Sequence, residues 1–148
     1  MRSYAVVLLL IVSIVVVDSR KEIQEVSIKL EQPEFFLEDI SVSNIIKACD
    51  YYNVKYPKII ASQAILESGN FKSKIFKEYN NPFGLYNSKA KDYYKFNHWT
   101  ESILFYKDNV QYKYKEGDYY KFLKELPYAE DSTYIQKLKQ IEKWIEKK

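Results

Sequence analysis

Pro57-Lys58-Ile59-Ile60-Ala61-Ser62-Gln63-Ala64-Ile65-Leu66-Glu67-Ser68-Gly69 reads as one short helix with both of its ends marked. Pro57 suits the first turn, where no backbone N–H donor is needed, and Gly69 is the residue best able to end a helix in the left-handed conformation. The segment between them is mostly apolar, so it is expected to lie inside the domain. Glu67 stands seven residues after Ile60 and three after Ala64, which places it on the apolar face at the last turn. A carboxyl pushed toward core and cleft has its anion disfavoured and its pKa raised, as a general acid near neutral pH requires. The plain alternative is a helix-terminal Glu turned out to water.

Upstream, Ser41 or Ser43 can cap a helix whose apolar face is Ile45, Ile46, Cys49 and Tyr52. Downstream, a brief helical patch over Ser73 to Glu78 leads to the turn Asn80-Asn81-Pro82. Phe83 to Tyr86 and Tyr93 to Phe96 then read as a small hairpin. Thr100 is expected to cap a helix with Ile103, Tyr106, Val110 and Tyr114 as its stripe. Gly117-Asp118 ends that helix and starts another, through Leu126. After Pro127 a last helix begins near Ser132, with Ile135, Leu138, Ile141 and Ile145 inward. These elements predict a mainly α (α+β) domain with a small β-hairpin lobe.

Composition agrees with that outline. The chain has 148 residues, 47% hydrophobic and 29% charged, which is the range of one globular domain. Three glycines and four prolines are too few for the turns of a many-stranded sandwich or barrel. One His and one Cys exclude a zinc, iron-sulfur or haem site with protein ligands. Neither a metal nor an organic cofactor is expected, although a hard cation held by carboxylates is compatible with the composition. The net charge of +3 is interleaved with acids, which argues against nucleic acid as a partner.

Residues 1–19 differ from the rest. Arg2 precedes an apolar run from Ala5 to Val17, and Asp18, Ser19 and Arg20 end it. A helix of that length is too short to cross roughly 30 Å of hydrocarbon, so the run reads as a secretory signal, with an uncleaved membrane anchor through residues 4–17 as the alternative. The protein is therefore expected to be exported, to the periplasm or cell envelope. Residues 20–38 read as a spacer, with the functional domain over 39–148. Cys49 offers no disulfide partner, and its place in an apolar stripe argues against a thiol nucleophile paired with His98.

Four separated blocks make the family recognisable. Ala61 to Gly69, then Lys72-Ser73 with Asn80-Asn81-Pro82-Phe83-Gly84-Leu85, then His98-Trp99-Thr100-Glu101-Ser102, and finally Tyr128-Ala129-Glu130-Asp131-Ser132-Thr133-Tyr134 leading into Lys137-Leu138 stand in order. Together they resemble the glucosaminidase domain of bacterial peptidoglycan hydrolases, glycoside hydrolase family seventy-three, over about Asp39 to Ile145. The resemblance implies a lysozyme-like fold, Glu67 as catalytic acid, and Tyr128 as a cleft residue needed for full activity. It also implies peptidoglycan glycan strands as the partner and cleavage of a β-1,4 bond beside N-acetylglucosamine. The protein is expected to act as a monomer.

Cleaving a glycosidic bond needs a proton for the leaving oxygen and stabilisation of the positive charge at the anomeric carbon. Glu67 can supply the proton. For a second carboxylate the candidates are Glu78, Asp92, Glu101, Glu130 and Asp131. Glu78 has the best location, whereas Glu101 and Asp131 suit the starts of helices. A substrate's own 2-acetamido carbonyl can replace that carboxylate, oriented by Tyr128, and this is the favoured route. Asn80, Asn81 and Gly84 are expected to shape the turn into the β-lobe, Asn81 and Gly84 lying close to ligand. Phe83, Tyr86, Tyr93, Tyr94 and Trp99 are candidates for an aromatic floor under sugar rings, of which about two should meet substrate, since aromatics at strand spacing are usually core. Muramidase or lytic transglycosylase activity, and a non-catalytic wall-binding module, remain as alternatives.

Overall fold

The computed structural model describes residues 33–126 and 131–147. The apolar run from Ala5 to Val17 and Tyr128 lie outside the described residues. From Glu34 onward the chain forms one compact unit. A 3-10 turn at Glu34–Phe36 begins it, with Phe35 buried and set edge-on to Tyr51 at 5.7 Å between ring centroids. The packed unit thus begins within the segment that the sequence reads as spacer.

Helix α1 (Val42–Tyr51) is capped by Ser41, whose hydroxyl accepts from the Asn44 N–H. Helix α2 (Pro57–Glu67) starts on Pro57 and packs between α1 and α6 (Tyr134–Ile145). Ile59, Ile60, Ala61 and Ala64 of α2 are buried with Ile45, Ala48 and Cys49 of α1 and Leu138 of α6. Each large aliphatic side chain among them adds about 1.5 to 3 kcal/mol on removal from water. These contacts make α2 the centre of the core.

Helix α3 (Lys74–Tyr79) is capped by Ser73 and ends on Asn80 in the left-handed conformation. The lobe that follows has only two residues per strand. β1 (Tyr86–Asn87) pairs antiparallel with β2 (Asp92–Tyr93) in the register Tyr86 to Tyr93 and Asn87 to Asp92. The outcome is the mainly α, lysozyme-like fold with a small β-hairpin lobe that the sequence predicts.

Helix α4 (Trp99–Asn109) departs from expectation at its start. His98, not Thr100, is the N-cap: its Nδ1 accepts from the Thr100 N–H at 3.4 Å, and Thr100 itself is buried in the first turn. The expected stripe of Ile103, Tyr106, Val110 and Tyr114 is buried, but the helix stops at Asn109 and a 3-10 turn at Gln111–Lys113 carries the chain onward. Asp118 caps α5 (Tyr119–Lys124) by accepting from the Tyr120 N–H at 2.9 Å. Among the described residues no helix is long and apolar enough to cross a membrane.

Candidate active site

Glu67 closes α2, and the residues after it lock its backbone in place. Ser68 is buried and its hydroxyl donates to the Ala64 carbonyl at 2.5 Å while accepting from the Phe71 N–H at 2.8 Å. The Ser68 carbonyl accepts in turn from the N–H groups of Lys72 and Ser73, at 3.0 and 2.8 Å. Gly69, Asn70 and Phe71 all have positive φ, between 57 and 62°. For a side chain as bulky as Phe71 that conformation is strained, and a run of three turns the chain sharply away from the helix end. The Glu67 side chain therefore leaves the helix at a corner whose following residues are held by hydrogen bonds to Ser68.

Its carboxyl is partly buried, and burial raises its pKa above the usual carboxylate value; a hydrogen bond from Tyr134 works in the opposite direction without cancelling the rise. Both influences arise from uncharged surroundings. The sum is a carboxyl that takes up a proton more readily than an ordinary surface Glu, the direction a proton donor requires.

Tyr134 stands in the fourth sequence block, where nothing local gives it a role, and Gln63, four residues before Glu67, is likewise unmarked by the sequence reading. Gln63 Nε2 donates to the Tyr134 hydroxyl at 3.2 Å, and Gln63 Oε1 accepts from the Tyr106 hydroxyl at 2.8 Å. The available signal was Gln63 itself, a polar residue buried within an apolar helix.

The other candidates separate into groups. Asn81 is buried and structural: its Nδ2 donates to the carbonyls of Leu85 and Tyr94, both at 2.9 Å, and its Oδ1 accepts from the Leu85 N–H at 2.9 Å. Gly84 adopts φ +60°, which the turn requires. Phe83 and Trp99 are core residues, a correction to their reading as sugar platforms. Phe83 is 2% exposed against Tyr106, and Trp99 is 3% exposed with its Nε1 donating to the Glu38 carbonyl at 3.0 Å. Buried so fully, neither ring has a face for a ligand. Tyr94 is partly covered by Phe105, 4.3 Å between centroids. Tyr86 and Tyr93 are exposed and meet edge to face at 5.1 Å.

Each described candidate for a second carboxylate has another partner. Glu78 pairs with Lys74 at 3.8 Å on an exposed helix face. Asp92 pairs with Lys95 at 3.1 Å and lies below the usual carboxylate pKa because of that contact. Glu101 accepts from the Asn97 N–H at 3.0 Å, ahead of α4. Asp131 accepts from the Thr133 N–H and pairs with Lys137 at 2.6 Å, which holds its pKa far down. Glu130 is outside the described residues. Cys49 is buried, and that burial pushes its thiol far above the ordinary range, so it is no nucleophile. A hollow of about 240 Å³ lies between α5 and α6, bordered by Lys121, Lys124, Asp131 and Lys139, and Glu67 does not line it. The chemistry of the carboxyl outweighs the size of that hollow as the mark of a site.

No curated protein and no solved structure matches this chain. The family model for glucosaminidase, described as mannosyl-glycoprotein endo-beta-N-acetylglucosaminidase, matches residues 42–147. That span opens at the start of α1, closes beyond α6, and contains Glu67 with the buried Gln63 and Tyr134 beside it. The chain belongs to the glucosaminidase family, and its domain is of the peptidoglycan-hydrolase type.

Proposed function

We propose that the protein is an exported peptidoglycan hydrolase that cleaves the β-1,4 bond on the reducing side of N-acetylglucosamine, with Glu67 as its general acid. The observation that carries this reading is the partly buried Glu67 carboxyl, raised in pKa and fixed at the end of α2. In the first step the acetamido carbonyl oxygen of the substrate attacks the anomeric carbon as the glycosidic bond breaks. Glu67 gives its proton to the departing oxygen. In the second step the Glu67 carboxylate takes a proton from water as that water opens the cyclic intermediate, which restores the acid.

The single-carboxylate route is supported by the partners of Glu78, Asp92, Glu101 and Asp131, each tied up in an ion pair or at a helix start. Tyr128 is assigned to the acetamido group through its family position. Residues 1–19 direct export, with anchoring through residues 4–17 as the alternative outcome, and the protein works as a monomer.

Digestion of purified peptidoglycan, followed by reduction and mass analysis of the new ends, tests the reading. N-acetylglucosamine at the reducing ends is expected. Muramic acid ends would make the protein a muramidase, and anhydromuramic ends a transglycosylase. Binding without any new ends would make it a wall-binding module.

A further inference from the structure

Two of the three residues that turn the chain away from Glu67 are not accounted for by the helix end itself. Gly69 closes α2: its N–H donates to the Leu66 carbonyl at 3.3 Å, and the Asn70 N–H donates to the Ile65 carbonyl at 2.8 Å. That pair of bonds needs one left-handed residue, and a glycine supplies it. Asn70 and Phe71 nevertheless stay left-handed, with φ of 58 and 62°. Asn tolerates that conformation, whereas Phe resists it. A specific bond must hold Phe71 there.

The Phe71 N–H has two possible acceptors. Were α2 to run on, it would donate to the carbonyl four residues back, which is that of Glu67. Instead it donates to the Ser68 hydroxyl oxygen at 2.8 Å, and that hydroxyl is fixed by its own donation to the Ala64 carbonyl at 2.5 Å. Ser68 is 1% exposed, so water does not compete for its oxygen. Its carbonyl also takes the N–H groups of Lys72 and Ser73, and Ser73 caps α3. One residue therefore decides whether the chain turns after Glu67 or continues as helix.

The consequence falls on the carboxyl. In a continued helix Asn70 and Phe71 would stand three and four residues beyond Glu67 on the same face, and long side chains lean back over the preceding turn. The Phe71 ring would then lie over Glu67. In the corner it is carried away and meets Phe76 of α3 edge-on, with 6.0 Å between centroids. We infer that Ser68 is a positioning residue for Glu67: its hydroxyl holds Phe71 off the face of α2 from which the carboxyl projects, and so keeps that face open to substrate. The inference rests on the reading of Glu67 as general acid.

The test compares Ser68→Ala, Phe71→Gly and the double variant by kcat on solubilised peptidoglycan, with NMR of the same proteins. In Ser68→Ala the ¹³Cα shifts of residues 69–71 should move to right-handed helical values, and a contact should appear between the Phe71 ring and the Glu67 side chain. Its kcat should fall by about 10- to 100-fold, the scale of a small misplacement at a reacting centre. Phe71→Gly has no ring to cover the carboxyl and no strain at positive φ, so it should keep kcat within about threefold. The double variant should recover to the level of Phe71→Gly while staying less stable than the unmodified protein. A folded Ser68→Ala protein that lacks the ring contact, or keeps kcat within about threefold, overturns the inference, as does a double variant as slow as Ser68→Ala. Should Ser68→Ala not fold, the double variant is read against Phe71→Gly: equal kcat supports the inference, and a slower or unfolded double variant overturns it. An active Glu67→Gln protein would instead defeat the functional reading, and the ring contact in Ser68→Ala is read independently of it.

Discussion

Helix α2 and the β-lobe use their buried polar side chains for opposite purposes. Within α2 the backbone satisfies itself through helical hydrogen bonds, so Gln63 is left to reach across the core toward Tyr134 and Tyr106. In the lobe, strands of two residues supply almost no ladder, and side chains must complete the backbone bonding. Asn80 donates to the carbonyls of Phe96 and Asn97 at 3.1 and 3.0 Å, and Asn81 joins both strands' approaches. The lobe therefore turns its amides inward and leaves two aromatic rings, Tyr86 and Tyr93, outside. Buried polarity crosses the core in one region and holds a turn in the other.

The largest effect that would break this contrast concerns Glu67. Glu67→Gln preserves volume and can still accept from Tyr134, but it has no proton to give. Turnover of peptidoglycan should fall by about 100- to 10,000-fold with the fold intact. Rates within tenfold of the unmodified protein would return α2 to the status of a purely structural helix.

On the lobe side the largest effect is on stability. Asn81→Ala removes three hydrogen bonds of 2.9 Å and strands the buried Leu85 N–H and the part-buried Tyr94 carbonyl, while the Leu85 carbonyl keeps the Tyr94 N–H at 3.0 Å. A loss of about 2 to 4 kcal/mol is expected in denaturant unfolding, with faster hydrogen exchange at the Leu85 amide. A loss below about 0.5 kcal/mol, the worth of the weakest single hydrogen bond, would mean that the short strands hold themselves.

How much of this contrast was legible in the sequence depends on distance along the chain. Local signals were sufficient for α2: Pro57 and Gly69 mark its ends, and the spacing of Glu67 from Ile60 and Ala64 assigns its face. Ser41 and Asp118 were readable as caps for the same reason. Thr100 misled because its neighbour His98 offers a ring nitrogen as the cap, which residue-type preference does not anticipate. Trp99 and Phe83 misled because an aromatic beside a turn has the same local pattern whether it faces core or ligand. The chain of hydrogen bonds leading through Gln63 to Tyr134 was not legible. It joins residues as much as 71 apart, and only packing brings them within hydrogen-bond reach.

A smaller effect sharpens the role of the lobe's exposed rings. Tyr86 is 53% exposed and touches Tyr93 only edge-on, so its loss should barely disturb folding. If the ring lies beneath a sugar, Tyr86→Ala should raise KM by about 3- to 10-fold, the worth of one aromatic contact, at an unchanged melting temperature. An unchanged KM would remove this ring from the substrate's path.

The smallest effect tests the carboxyl's environment through stability instead of rate. Burial raises the folded-state pKa of Glu67 above its unfolded value, with the Tyr134 bond opposing but not cancelling the rise. A group of this kind contributes most to stability while it is protonated in both states, below the unfolded pKa. That contribution is lost as pH rises through the folded pKa, because the fold must then hold a partly desolvated anion. Glu67→Gln is neutral at every pH and escapes the loss. Its melting temperature should therefore exceed that of the unmodified protein at neutral pH, with the gap closing as the solution is acidified below the ordinary carboxylate range. Tyr134→Phe removes the bond that favours the anion, so in that background the neutral-pH gain from Glu67→Gln should be larger. A gap that is absent at neutral pH, or that grows on acidification, would mean that the carboxyl is solvated as an ordinary surface Glu, and the contrast between α2 and the lobe would lose its chemical half.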